Sequence, residues 1–196
     1  NIEQIERPRR EHKLPDILSK EEIGTMLKAT ENIKHKCLIA LIYSCGLRRS
    51  ETINIKLADI DSKRMLIKVR NAKGRKDRYV QLSVHLLSLL RDYYKEFKPK
   101  EYLFEGQNGP PSYSGESIVK VIKSAAFKAG IHKRVYPHIL RHSFATHHLE
   151  QGTDLRFIQE LLGHASVKTT ERYTHVANNA ISKLKNPMDE LFEDCS

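Results

Sequence analysis

The chain of 196 residues has no apolar run near the roughly 20 residues needed to span a bilayer, and its charged first residues are unlike a secretory signal. No membrane partner is therefore expected, and the chain reads as soluble and intracellular. Cysteine is scarce: Cys37, Cys45 and Cys195 are odd in number and show no CxxC spacing, which argues against a disulfide framework and suits free thiols in a reducing compartment. No internal repeat is visible, so a repeat array is not expected. What remains is one domain with one substantial core, the usual outcome for chains of roughly 50–250 residues.

Charge of one sign is in excess. Against 24 Asp and Glu stand 34 Lys and Arg, a formal charge of +10. Such an excess attracts phosphate polyanions through counterion release. It equally suits the solvated surface of a basic cytosolic protein, so composition alone leaves the partner open.

The pattern along the chain is mainly helical. Residues 1–18 are charged, contain Pro8 and Pro15 and lack periodicity, which reads as a linker or arm. The body, 19–186, opens with Ser19-Lys20-Glu21-Glu22, a capping box ahead of a helix whose apolar face is Ile23, Met26 and Leu27. A second helix over about 34–44 is apolar over so much of its surface that it should be buried, with Gly46 as its stop. Segment 48–56 is anchored by Ile53 and Leu57. Met65–Val69 and Arg78–Leu82 flank a basic turn and read as a β-hairpin. Helices are expected at about 83–97 and 115–129, a short strand at 102–104, and a loop at Gly109-Pro110-Pro111, where proline fixes its own φ and lacks a donor. After Pro137 helices dominate, including an amphipathic segment 154–162 that ends at Gly163. The fold class is mainly α with a small antiparallel β-sheet (α+β). A tail, 187–196, carries Leu191 and Phe192 among acids.

Chemistry concentrates in a few stretches. Gly46-Leu47-Arg48-Arg49-Ser50-Glu51 puts a guanidinium just after a helix end, where a rigid planar fork can bind two phosphate oxygens. Glu51, three residues on, can orient Arg48. The turn Asn71-Ala72-Lys73-Gly74-Arg75-Lys76-Asp77-Arg78 offers an ammonium to protonate an alkoxide, with Arg75, Lys76 and Arg78 as phosphate contacts alongside Arg49. In Pro137-His138-Ile139-Leu140-Arg141-His142, His138 and Arg141 share a helix face. His147 falls toward Leu140 and Phe144 and reads as a buried structural histidine. His164 follows Gly163, and Tyr173 lies in Glu171-Arg172-Tyr173-Thr174-His175. A phenol, with a pKa near 10 in isolation, needs neighbouring cations or a base to become a nucleophile. His138 and His142 also have the i, i+4 spacing of a metal-binding helix, but no glutamate follows in HExxH order and the arginines would repel a cation.

The order Arg, Lys, His-x-x-Arg, His, Tyr resembles the tyrosine recombinases of the phage integrase and Xer type, from about Leu18 to about Leu184. The resemblance implies a catalytic core shared with type IB topoisomerases. It implies that Arg48 and Arg141 clamp the phosphate, Lys73 protonates the leaving 5′ oxygen, and His138 assists proton transfer from Tyr173, the nucleophile. His164 would donate to a non-bridging oxygen, and Glu51 and His142 would support the set. The expected function is site-specific strand exchange through a 3′-phosphotyrosine, without metal or other cofactor. Double-stranded DNA is the expected partner, bound as a homotetramer by a chain that is monomeric when free, in the cytoplasm and at the nucleoid. Segment 1–18 would follow a separate DNA-binding domain, and the tail would dock on a neighbouring protomer. A nicking-closing enzyme with the same site, or a non-catalytic DNA-binding module, are the alternatives.

Overall fold

The computed structural model describes residues 17–70, 77–106, 109–163 and 188–189. Their order is α1 (Lys20–Lys28), α2 (Ile33–Cys45), α3 (Arg49–Asn54), β1 (Ile60–Asp61), β2 (Leu66–Val69), β3 (Arg78–Gln81), α4 (Val84–Phe97), β4 (Glu105–Gly106), β5 (Gly109–Ser112), α5 (Gly115–Lys128), α6 (Pro137–Glu150) and α7 (Leu155–Leu161). Helix starts are set by side chains that satisfy free backbone donors. In α1 the Ser19 hydroxyl accepts from the Glu22 amide at 3.2 Å while the Glu22 carboxylate takes the Ser19 amide at 2.8 Å, so the expected capping box forms. Asn32, Ser83, Ser114 and Asp154 cap α2, α4, α5 and α7 by accepting first-turn amides on their side-chain oxygens. Helix α6 begins with Pro137, whose missing N–H costs nothing in a first turn.

Helix α2 is the centre of the molecule. Every residue from Cys37 to Cys45 is buried, because the helix packs against both α4 and α6 and contacts α1, α3 and α5 as well. An all-round apolar helix is stable only in such a surround. The chain entering α1 is tied to α6 by the Leu18 amide, which donates to the Ser143 hydroxyl at 2.9 Å. Met188, within the stretch 187–196 read as a tail, is buried in this same core. Among the described residues no helix is long and apolar enough to cross a membrane.

The hairpin forms with Leu66 opposite Gln81 and Val69 opposite Arg78, and β1 adds a third antiparallel strand that the sequence pattern did not suggest. Two expectations near residue 105 are corrected. Tyr102 makes only an isolated bridge with Lys56, and the strand lies at Glu105–Gly106 instead. Its partner is β5, which contains Pro110 and Pro111 where a loop was expected. Pro110 and Pro111 fall in a register shift between the Glu105–Ser112 and Gly106–Gly109 pairs, so neither is paired across the ribbon and no ladder bond is lost.

Gly46 ends α2 at φ 59°, and a Cβ on it would lie 2.6 Å from Cδ1 of Phe144 and 2.8 Å from Cδ2 of Leu162. The left-handed turn and this close approach both require glycine. Gly46→Ala is expected to lower the unfolding free energy by about 2–4 kcal/mol, combining backbone strain with overpacking. Urea denaturation measures it, and a loss below about 0.5 kcal/mol would mean that the Phe144 and Leu162 contacts yield freely.

Candidate active site

The turn at Gly46 swings the chain out of the core, and buried Leu47 pins it before Arg48, the residue that leads into α3. The Arg48 amide donates to Glu51 Oε2 at 2.7 Å, and its Nη1 donates to Oε1 at 2.8 Å. The i, i+3 pairing read from the sequence is therefore made, and by backbone as well as side chain. Glu51 is buried, with a second guanidinium on it: Arg78 Nη1 and Nη2 donate to Oε1 and Oε2 at 2.8 and 2.9 Å. Arg141 Nη1 stands 3.8 Å from Oε2. One carboxylate thus faces three guanidiniums.

The end of α7 supplies the remaining acceptors. The carbonyls of Leu161, at the end of the helix, and of Leu162 and Gly163, just past it, each take an arginine. Arg78 Nε donates to Leu161 O at 2.6 Å, Arg141 Nη2 to Leu162 O at 2.6 Å and Arg48 Nη2 to Gly163 O at 3.0 Å. Arg141 also donates from Nη1 to Gly46 O at 2.5 Å. The negative end of the helix dipole reinforces these bonds. Arg141 is buried on α6, and burial, followed by the charge of Arg48, lowers its pKa to about 10, which keeps it charged at neutral pH. His138 and His142 stand on the exposed side of α6 with ring centroids 6.5 Å apart. Partial burial, then His138 and Arg141, pull His142 below the ordinary histidine value.

Arg48, Glu51 and Arg141 are therefore brought together at the α2–α3 turn, and His138 and His142 stand on the exposed side of α6, the helix that carries Arg141. Arg49 is exposed, with its Nε 3.0 Å from where a Cβ on Gly115 would be, so it lies over the start of α5. Arg78 corrects an expectation. Its side chain is only 11% exposed and turned inward onto Glu51 and Leu161, so its guanidinium is not offered to solvent as a phosphate contact. The signal was present: strand alternation puts Arg78 on the face of buried Val80. His147 is buried as expected, its Nδ1 2.8 Å from the Tyr43 hydroxyl, and His148 is buried against the Phe144 ring. Lys73, Arg75, Lys76, His164 and Tyr173 lie outside the described residues. Among the described residues no three His, Cys, Asp or Glu side chains come together as a metal group.

With three guanidiniums and one carboxylate, the cluster carries a net charge of +2. Preorganised donors of this kind stabilise charge that builds on a phosphoryl group.

A sequence profile described as the phage integrase family matches residues 16–180. The putative integrase/recombinase y4qK of Sinorhizobium fredii is 41% identical over 184 residues, covering 94% of this chain and 60% of the relative. Tyrosine recombinase XerD of Staphylococcus saprophyticus is 40% identical over 195 residues, covering 93% of this chain and 65% of the relative. The chain thus spans less than two thirds of the length of these curated relatives. Among solved structures, XerA recombinase superposes with a TM-score of 0.74 at 30% identity, over 95% of this chain and 66% of the other. XerH recombinase, in a pre-cleavage complex with its difH substrate, superposes with a TM-score of 0.69 at 29% identity, over 88% of this chain and 53% of the other.

Burial raises the Glu51 pKa, but the hydrogen bonds and charge of Arg78, then the amide and guanidinium of Arg48, outweigh it and hold the carboxyl at about 2, below its ordinary 4.5. A carboxyl depressed in the folded state contributes stability that is complete above its unfolded pKa and is lost as pH falls through the folded value. Wild-type unfolding free energy should therefore drop between about pH 5 and pH 2, with a shallower drop for Glu51→Gln. At pH 7 that variant should be less stable by about 3 kcal/mol, since it leaves guanidiniums uncompensated. Urea titrations across pH measure both, and equal stability at pH 7 would contradict the central place of Glu51.

Proposed function

The chain belongs to the phage integrase family, and on that premise we propose that it is the catalytic portion of a tyrosine-type site-specific recombinase acting on double-stranded DNA. The observation that carries the reading is the Arg48–Glu51–Arg78–Arg141 cluster, a net positive group beside exposed imidazoles on α6. The difH complex of the related XerH supports DNA as the partner.

In this reading the scissile phosphate lies against Arg48 and Arg141, whose forks take its non-bridging oxygens. Arg48 is the more accessible, with about a quarter of its side chain exposed, 27%. A phosphate therefore meets Arg48 first and competes with Gly163 O for its Nη2. The Tyr173 oxygen attacks phosphorus, its proton passing to His138, while the bond to the 5′ oxygen breaks and Lys73 gives that oxygen a proton. A 3′-phosphotyrosine and a free 5′ hydroxyl result. Attack by a 5′ hydroxyl of another strand reverses every step, so the energy of the phosphodiester is retained and no hydrolytic water is consumed. His164 donates to a non-bridging oxygen, Glu51 and His142 hold the arginine and imidazole set, and Arg49, Arg75 and Lys76 position the DNA backbone. The active assembly on DNA is a homotetramer that exchanges strands in pairs, with the tail 187–196 reaching a neighbouring protomer.

An SDS-stable adduct assay in EDTA, on end-labelled suicide duplexes selected beforehand for binding, tests the chemistry. Wild type, in the longer natural chain as well as this one, should give a 3′-linked adduct, and Tyr173→Phe should lower it by at least about 10³-fold. An adduct that persists in the variant removes Tyr173 as nucleophile. None from the longer wild-type chain on a bound duplex removes the enzymatic reading.

A further inference from the structure

Arg48 is anchored on Glu51 and on Gly163: its amide donates to Glu51 Oε2, its Nη1 to Oε1 and its Nη2 to Gly163 O. Arg78 stands on both anchors. Its Nη1 and Nη2 donate to the two oxygens of Glu51 at 2.8 and 2.9 Å, so the same Oε1 receives both arginines. Its Nε donates to Leu161 O at 2.6 Å, and its guanidinium lies over Gly163, where a Cβ would come 3.0 Å from Nη1 and 3.3 Å from Cζ. Arg141 is held differently, by Gly46 O and Leu162 O. Arg78 therefore bears on Arg48 through its carboxylate partner and its carbonyl partner alike.

The sheet supplies the support. Arg78 opens β3 opposite Val69, and Val69 and Val80 of that ladder are buried in the core, so the base of the side chain is fixed before its fork reaches α3. A carboxylate can turn about its last side-chain bond, whose torsion is broad. A forked guanidinium on both oxygens sets its plane, and that plane decides where Oε1 draws Nη1 of Arg48. Arg48 already balances the charge of Glu51, so a second guanidinium adds repulsion. Buried ion pairs of this kind are seldom the most stable filling for a site and are best attested where one particular arrangement is needed. Exposure separates the two arginines: 27% of the Arg48 side chain meets solvent and 11% of Arg78. Arg48 is within reach of a phosphate, whereas Arg78 engages all three of its nitrogens inside the protein.

We infer that Arg78 is a positioning residue for the phosphate clamp: it holds Glu51 and Gly163 so that the fork of Arg48 faces the non-bridging oxygens of the scissile phosphate. The role rests on the recombinase reading and on Arg48 as a clamp. Acting through Arg48, Arg78 matters only where the phosphate carries its charge and only while Arg48 is present, which a merely structural ion pair would not do. With a methyl group in place of one non-bridging oxygen the scissile group is uncharged, yet the tyrosine oxygen still bonds to phosphorus and the 5′ oxygen still leaves with a proton. A defect in the clamp is relieved on such a methylphosphonate, whereas a defect in the nucleophile, the leaving-group acid or the fold persists.

Single-turnover cleavage of matched phosphodiester and methylphosphonate suicide duplexes is therefore measured in the longer natural chain for wild type, Arg78→Met, Arg78→Lys, Arg48→Ala and the double variant Arg48→Ala/Arg78→Met. Duplex affinity and thermal melting are followed alongside. Arg78→Met removes the charge and the fork and should cleave the phosphodiester about 100-fold more slowly, the scale of a misplaced reacting group. On the methylphosphonate it should come within about 5-fold of wild type on that duplex, with affinity unchanged within about 3-fold. In the double variant the phosphodiester should be cleaved less than about 3-fold more slowly than by Arg48→Ala, because the group that Arg78 positions is already gone. Arg78→Lys keeps the charge but loses the forked grip, so it should fall between wild type and Arg78→Met with the same relief. It also decides the matter if Arg78→Met does not fold. Equal losses on both duplexes, or losses that multiply in the double variant, would overturn the inference in favour of a structural ion pair or of action on a group other than Arg48. Full activity of Arg78→Met would overturn it outright, and weakened affinity with normal cleavage of bound DNA would overturn it in favour of a DNA contact. Full activity of Arg48→Ala would remove the clamp, absence of wild-type cleavage would remove the recombinase reading, and the inference falls with either.

Discussion

Three guanidinium groups held close together repel one another, and in this chain they stay together because the Glu51 carboxylate and the last carbonyls of α7 face them from two sides. Glu51 neutralises one charge, and the helix end contributes roughly half a charge more. The remainder is an excess of positive charge on partly desolvated groups, which a phosphate group is suited to satisfy. Removing water from such donors costs free energy during folding and strengthens their hold on an anion afterward. Stability and chemistry are linked at this one carboxylate.

The rest of the fold supplies the supports for that cluster. Helix α2 carries no charged group to the site, yet its burial sets the Gly46 turn, and the Gly46 carbonyl receives Arg141. Phe144, one turn beyond Arg141 on α6, fills the space that glycine leaves open at position 46. The hairpin adds Arg78 and the α6–α7 connection brings the carbonyls of 161–163 across from the far end of the sequence. Four separate stretches of chain therefore meet at the arginine cluster, three of them at Glu51, and a defect in the packing of any of them moves an arginine.

Much of the site was legible because its signals are local. The capping box at Ser19, the all-apolar α2, the glycine stop and the i, i+3 relation of Arg48 to Glu51 each depend on residues within one or two turns. The inward turn of Arg78 was not legible because its position in a run of basic residues hid the two-residue alternation that places it beside Val80. The three carbonyl acceptors had no sequence signal, since every residue has a carbonyl and these bonds join positions 83, 21 and 115 residues apart. Proline's usual meaning failed at Pro110 and Pro111 because a register shift in the ribbon leaves both outside the pairing, where the missing donor is not needed. The identification of Lys73, His164 and Tyr173 rests on motif order in the sequence and on family membership.

If the arginines neutralise charge on a phosphate, the most direct measurement removes that charge from the DNA. A suicide duplex with a methylphosphonate at the scissile position has a methyl group in place of one non-bridging oxygen and is uncharged there. Arg48→Ala, verified as folded by its melting transition, should cleave the ordinary phosphodiester at least about 10³-fold more slowly than wild type yet cleave the methylphosphonate at a rate within about 10-fold of wild type on that same duplex. Arg48→Ala that is equally impaired on both duplexes, or unimpaired on the phosphodiester, would contradict a charge-neutralising clamp at this site.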